Sequence, residues 1–170
     1  MTAPPTCFDL EISGHVAHLQ MKRPAEFNSM TRAFWDELPQ LVRDIDRGAK
    51  ARVIILSSTG KHFSSGMDLS VFTGEGGVVG SGEPKDRFTA SENFRRHVKH
   101  LQETFSCLED ARMPVLAAIQ GGVIGAGVDM IAACDVRYST QDAFFCIQEI
   151  NLGMTADVGT FPRLCHLMAE

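Results

Sequence analysis

From Phe8 to Ile12 and again from His15 to Met21, apolar and polar residues alternate on either side of Ser13-Gly14. Period-two alternation around a glycine turn predicts two antiparallel strands joined as a hairpin. Past Lys22-Arg23-Pro24 and an irregular A-E-F-N-S-M the period lengthens, and Phe34, Leu38, Val42 and Ile45 fall on one stripe of a helix beginning at about Thr31. Pro39 stands inside that stripe. An interior proline lacks a donor N–H and costs about 3 kcal/mol, so a kink or an early restart is expected there. Arg52 to Leu56, R-V-I-I-L, is a short unbroken apolar run, the pattern of a parallel strand covered on both faces.

Polar residues take over in the loop Ser57 to Ser70, S-S-T-G-K-H-F-S-S-G-M-D-L-S, directly after a strand end, where α/β proteins hold their ligands. Thr73 to Pro84 carries five glycines in twelve residues and is expected to be the mobile segment. T-A-S-E from Thr89 reads as a capping box, and Phe94, Val98, Leu101, Phe105 and Leu108 follow at helical spacing. Val115 to Ile119 predicts a second buried strand beside the first. It leads into the stretch Ile119 to Asp157, which reads as a glycine-rich turn, a helix opening at about Ala126, two short strands and a second turn. Strand, helix and strand recur, so a largely parallel sheet with right-handed crossovers is expected. The final V-G-T-F-P-R-L-C-H-L-M-A-E begins like a helix and stops without a cap, as if the fold were cut there.

Length and charge narrow the picture. The 170 residues suit one domain, residues 1–170. A net charge of -5 argues against nucleic acid or an anionic membrane surface as the partner, since both require basic stripes that release counterions. Cys7, Cys107, Cys134, Cys146 and Cys165 are odd in number and lack any C-x-x-C spacing, which points to a reducing compartment rather than a disulfide framework or zinc knuckle. No apolar run approaches the roughly 20 residues of a spanning helix, and M-T-A-P-P-T-C-F-D-L has neither an h-region nor an Arg-rich presequence. A cytoplasmic protein is expected.

Chemistry concentrates in the central stretch. A lone carboxylate in apolar surroundings is costly. Asp129, Glu149 and Asp157 in one segment suggest a site where burial and mutual repulsion tune acid and base strength. Gly121, Gly122, Gly125 and Gly127 let the backbone turn tightly, and the helix that follows points its free amides back at the turn. An ordinary strand-to-helix turn looks the same, with Asp129 stabilising the first helical turn by roughly 0.3–1 kcal/mol. Ser65-Gly66-Met67 adds a second set of free amides, and two amides converging on one oxygen form an oxyanion hole. Elsewhere Asp135 reads as structural, paired with Arg137 or capping a helix end. His97 and His100 lack the acidic or thiolate partners of a metal site. Ser64-Ser65 lacks an assembled base.

H-F-S-S-G-M-D-L, I-Q-G-G-V-I-G-A-G-V-D-M-I-A-A-C-D and E-I-N-L-G-M-T-A-D-V-G-T, in that order, resemble the enoyl-CoA hydratase/isomerase (crotonase) superfamily from about residue 8 onward. The likeness is greatest to Δ3,5-Δ2,4-dienoyl-CoA isomerases, which have Asp, Glu and Asp at the positions of Asp129, Glu149 and Asp157. Hydratases carry Glu at the first and Gly at the third. The resemblance implies a crotonase-like (ClpP/crotonase) ββα superhelix whose C-terminal helical part is missing here. It implies a thioester oxygen held by the amides of Met67 and Ala126, where hydratases usually have glycine at the latter. It implies acyl-CoA contacts at Arg23, Ala25, Phe27, Ser65, Gly66, Asp68, Leu69, Ser70, Gly122 and Gly127, with Lys22 and Arg23 on the phosphate side. No metal and no separate cofactor are implied, coenzyme A being part of the substrate.

By the same resemblance Glu149 handles the carbon alpha to the thioester and Asp157 the distal carbon, with the reverse assignment as the alternative, while Asp129 tunes their proton affinity or orients the substrate. The expected reaction moves double bonds from a 3,5-dienoyl-CoA to the 2,4 isomer in fatty-acid β-oxidation. A hydratase of the same fold and a non-catalytic acyl-CoA-binding fragment are the competing readings. Family members continue into helices that cover the acyl pocket and build trimers or hexamers, and mitochondrial or peroxisomal members make those compartments alternatives to the cytoplasm.

Overall fold

The computed structural model describes residues 4–73 and 86–168. The glycine-rich segment expected to be mobile therefore lies outside the described residues, Thr73 apart. Strands β1 (Phe8–Ser13), β2 (Val16–Met21), β3 (Val53–Ser58), β4 (Val115–Ile119) and β6 (Val136–Ser139) form one sheet in the order β1-β2-β3-β4-β6. Only β1 and β2 pair antiparallel; the other three pairings are parallel, Ile54 lying opposite Val115. The hairpin turn sits one residue later than the alternation suggested, because Gly14 and His15 are the two residues at positive φ, 55° and 67°. A second, two-stranded parallel sheet pairs β5 (Gly122–Ile124) with β7 (Phe144–Cys146). The glycine-rich stretch is thus partly a strand, hidden in the sequence because Gly121 and Gly122 carry no side chain to show a period.

Helices α1 (Arg32–Gly48) and α3 (Arg87–Glu109) cover one face of the main sheet, while α2 (Ser70–Thr73), α4 (Ala126–Ala132) and α5 (Thr160–Leu167) lie around the loops. Phe34, Leu38, Val42 and Ile45 of α1 and Leu101, Phe105 and Leu108 of α3 are buried against Leu19, Ile54, Leu56, Val115 and Ala117. On the other face Val53, Ile55 and Leu116 are only half-buried, so the unbroken apolar run overstated the cover of β3.

Pro39 does not restart α1, which runs unbroken through it. The carbonyl that the proline strands is that of Trp35, four residues back, and it lies 3.2 Å from the Thr104 hydroxyl of α3, a donor it shares with His100 O at 3.1 Å. A neighbouring helix supplies the missing donor, which is why an interior proline is tolerated. The capping box predicted at Thr89 is also displaced. Asp86 is the cap, accepting from Thr89 N and Thr89 Oγ1 at 2.8 Å each, and Glu92 pairs instead with Arg95 and Arg96.

Helices α3 and α5 and the segments beside α5 leave apolar side chains in water: Phe94, Ile150, Leu152, Phe161 and Met168 are all more than half exposed. A surface of that kind associates. The isolated 170-residue chain is expected to self-associate at micromolar concentration, with light scattering giving a mass above 18.6 kDa. A monodisperse monomer at that concentration contradicts the expectation.

Candidate active site

Two loops build the site. The first leaves β3 and is held by main-chain bonds along its length: Ser65 N donates to Phe27 O (2.9 Å), Met30 N to Gly66 O (2.8 Å) and Asp68 N to Met30 O (3.1 Å). Asn28 is central to it. This buried side chain accepts from Arg23 N at 2.9 Å and donates to Thr59 O and His62 O at 2.8 and 3.2 Å, from a backbone at φ 52°. Asparagine tolerates that left-handed conformation better than other non-glycine residues. The second loop is β5 and the entry to α4, which Ile124 N ties to Ser64 O at 3.0 Å.

The loops touch backbone to backbone at Gly66. A Cβ there would stand 2.6 Å from Ile124 O and 3.3 Å from Ala126 N, and the residue sits at φ 83°. Met67 N and Ala126 N flank this contact, and neither donates to an acceptor among the described residues. Both residues line a cavity of about 980 Å3. Its walls include Glu149 and Asp157 on one side and Phe94, His97 and Leu101 of α3 on another.

Glu149 stands over Gly125, whose absent Cβ would meet Oε1 at 3.1 Å, and its Oε2 is buried without a partner among the described residues. Burial, and then the nearby charges of Asp129 and Asp157, push its carboxyl above the usual range. Asp129 does not line the cavity. It lies fully buried in α4, where Oδ1 accepts from Thr160 N (2.5 Å) and Thr160 Oγ1 (2.7 Å) while Oδ2 is unpartnered among the described residues. Burial raises this carboxyl too, and the Thr160 donors and Arg163 only partly offset it. Asp157 is exposed to the cavity, its carbonyl held by Gln102 Nε2 at 2.8 Å. Burial and mutual repulsion thus raise the proton affinity of Glu149 and Asp129, with the Asp157 charge adding to both.

That arrangement has a signature in stability. For Glu149 the folded form holds its proton more tightly than the unfolded chain, so the resulting stabilisation is complete below a pH of about 4 and is lost as pH rises through the raised folded value. Replacing Glu149 by Gln removes the titration. The thermal midpoint of that variant minus the parent's should rise as pH climbs from about 4 towards 8; a difference that stays constant or falls would refute the assignment of a raised proton affinity.

The remaining residues named above divide. Ser65, Asp68 and Leu69 line the large cavity. Asp68 accepts from the Ser70 and Ser29 hydroxyls, at 2.6 and 2.8 Å, and from Ser70 N; these bonds hold its carboxyl below the usual range. Phe27, Ser65 and Gly122 line a smaller hollow with His62 and Phe144, the His62 ring lying 5.7 Å from Phe27 and 6.2 Å from Phe144. Gly127 is buried against Val123 and Ser64. Arg23 and Ala25 line neither space: Arg23 donates to Ser29 O at 3.0 Å and faces Glu26, while Lys22 pairs with Asp9 at 2.8 Å. Asp135 caps neither helix nor arginine through its side chain, its Oδ2 accepting from Val115 N at 2.8 Å. His100 approaches Asp36 at 3.5 Å, and no group of three or more potential metal ligands is gathered among the described residues. Nor is any described helix long and apolar enough to cross a membrane.

The family model for enoyl-CoA hydratase/isomerase matches residues 11–168. Among curated proteins, the peroxisomal Δ(3,5)-Δ(2,4)-dienoyl-CoA isomerase of Arabidopsis thaliana is 44% identical over 88% of this chain and 53% of its own length. The mitochondrial isomerase of Mus musculus is likewise 44% identical, over 88% of this chain and 45% of its own. The chain therefore spans about half the length of these relatives. A solved structure of a Thermobifida fusca protein assigned as an enoyl-CoA hydratase, in complex with acetoacetyl-CoA, superposes with a TM-score of 0.80 at 30% identity, covering 95% of this chain and 61% of the other.

Proposed function

Because the chain belongs to the enoyl-CoA hydratase/isomerase family, we propose that the protein it forms isomerises 3,5-dienoyl-CoA thioesters to their 2,4 isomers. The observation that carries the reading is the pair Glu149 and Asp157 on one cavity with the open amides of Met67 and Ala126. The thioester oxygen accepts from those amides, which stabilises the negative charge that builds on it and makes the C2 proton acidic. Glu149 takes that proton, and the C–H electron pair becomes the C2=C3 bond. The C3=C4 pair moves to C4=C5, and the C5=C6 pair takes a proton at C6 from Asp157. One proton enters and one leaves, so no cofactor is consumed and coenzyme A stays on the substrate throughout. Two separate carboxylates suit a shift of this length, and the apolar walls from α3 suit the extended acyl chain.

The dienoyl-CoA isomerases among the relatives and their identity to this chain favour this over hydration. The structural likeness to an assigned hydratase keeps hydration as the second reading. A trimer or hexamer completed by further chain, and a place in fatty-acid β-oxidation within an organelle such as those of the relatives, belong to the same proposal. Mixing the protein with a 3,5-dienoyl-CoA should produce the ultraviolet absorbance of the conjugated 2,4 product. If a 2-enoyl-CoA instead loses its absorbance by hydration much faster than the diene isomerises, the hydratase reading replaces this one; binding of acyl-CoA with neither reaction leaves a non-catalytic binder.

A further inference from the structure

Thr160 carries a contact that the three carboxylates alone do not explain. It opens α5, is 2% exposed, and gives both its amide and its hydroxyl to the same oxygen, Oδ1 of Asp129. A carboxylate has two oxygens, and sharing the donors between them would satisfy both. Here Oδ2 is left buried and empty among the described residues. The main chain between Asp157 and Thr160 is thereby pinned at both ends, by Gln102 on the Asp157 carbonyl and by Asp129 on Thr160.

We propose that Thr160 is a positioning residue for the carboxylate trio: it fixes Asp129 through Oδ1, leaves Oδ2 as the one oxygen open to a proton, and ties the turn presenting Asp157 to α4. An oxygen already accepting two hydrogen bonds is the poorer proton acceptor, so protonation goes to Oδ2. The charge of Asp129 reaches Glu149 electrostatically, and Thr160 thus acts on the reaction through both neighbours. The other charged groups acting on Asp129 are Arg163 of α5, itself bonded to Glu109 and Ser106, and Asp157 of the turn. Arg163 is part-engaged elsewhere, which leaves the Thr160 amide and hydroxyl as the donors set on Asp129, and of these only the hydroxyl can be removed by substitution.

The catalytic consequence rests on the isomerase reading, whereas the hold on Asp129 does not, and the experiment separates them. Thr160→Val keeps the shape and the amide donor but removes the hydroxyl; Thr160→Ser restores it. Carboxyl carbon resonances of the labelled protein, with Asp129 identified by its loss in Asp129→Asn, should titrate at higher pH in Thr160→Val and as the parent in Thr160→Ser. A hydrogen bond to a charged group is worth roughly tenfold or more in an equilibrium. The Val variant should therefore lose about tenfold or more in kcat with KM nearly constant, its pH–rate profile should move in the same direction as the carboxyl titration, and Ser should recover both. An Asp129 titration unchanged in Thr160→Val overturns the proposal, as does a Ser variant equally slow, because it keeps the hydroxyl. If the parent isomerises no diene, the proposed function falls and the carboxyl titration alone decides the role of Thr160.

Discussion

Glu149→Gln and Asp157→Asn are each expected to lower kcat for diene isomerisation by about 10² to 10⁴, some 3–5 kcal/mol in the barrier, while acyl-CoA binding changes little. Both substitutions keep size and hydrogen-bonding shape and remove only the titrating proton. They should differ in a second respect. Glu149 is desolvated and has an oxygen unpartnered among the described residues, so neutralising it relieves a buried charge, and the Gln variant should be slow yet no less stable at neutral pH. Asp157 is exposed, and its replacement should leave the thermal midpoint close to the parent's. Deuterium uptake from solvent divides their roles: with Glu149 at C2 and Asp157 at C6, Asp157→Asn should still exchange the C2 proton while failing to form product, and Glu149→Gln should do neither. Near-normal isomerisation by Asp157→Asn removes the two-carboxylate mechanism altogether. Exchange at C2 surviving in Glu149→Gln but not in Asp157→Asn reverses the assignment.

Much of this arrangement is readable from the chain because its parts are local. The period-two run before Met21 and the stripe from Phe34 to Ile45 report their own burial, the apolar runs ending at Leu56 and Ile119 report their strands though not the cover of both faces, and together they predict the parallel sheet. The parts that stayed hidden depend on partners far away in sequence. Thr104 rescues the Trp35 carbonyl from Pro39 across 69 residues, so α1 looked breakable when taken alone. Asp86, rather than the Thr89 box, caps α3 because a carboxylate three residues upstream is the stronger acceptor. At the site, the carboxylates announce themselves as charge within apolar sequence. Asn28 and Thr160 do not: each is a small polar residue whose importance comes from being buried against groups some 30 positions away, 31 in the bonds to Thr59 and to Asp129. The two amides flanking Gly66 leave no side-chain trace, and only the glycine marks them.

Gly66→Ala should be nearly as damaging as loss of a carboxylate, though no reacting group is touched. The new methyl would stand 2.6 Å from Ile124 O, a backbone atom that cannot swing aside, and 3.3 Å from Ala126 N. Relief requires the two loops to separate, and separation pulls Met67 N and Ala126 N away from a common oxygen. Losing one such donor typically costs about 10² to 10³ in kcat, roughly 3–4 kcal/mol. Part of any effect will come from backbone strain, because an L side chain at φ 83° is disfavoured by roughly 1–2 kcal/mol on its own. Gly14→Ala separates the two causes. That glycine also has positive φ, 55°, but a Cβ there meets nothing within 4 Å, and it lies in the hairpin turn. The Gly14 variant should lose stability of the same order as the strain and retain kcat; the Gly66 variant should lose stability and about a hundredfold or more in kcat, with circular dichroism unchanged for both. A Gly66→Ala protein that folds and isomerises within about threefold of the parent would mean that the amides of Met67 and Ala126 are not the groups that hold the thioester oxygen.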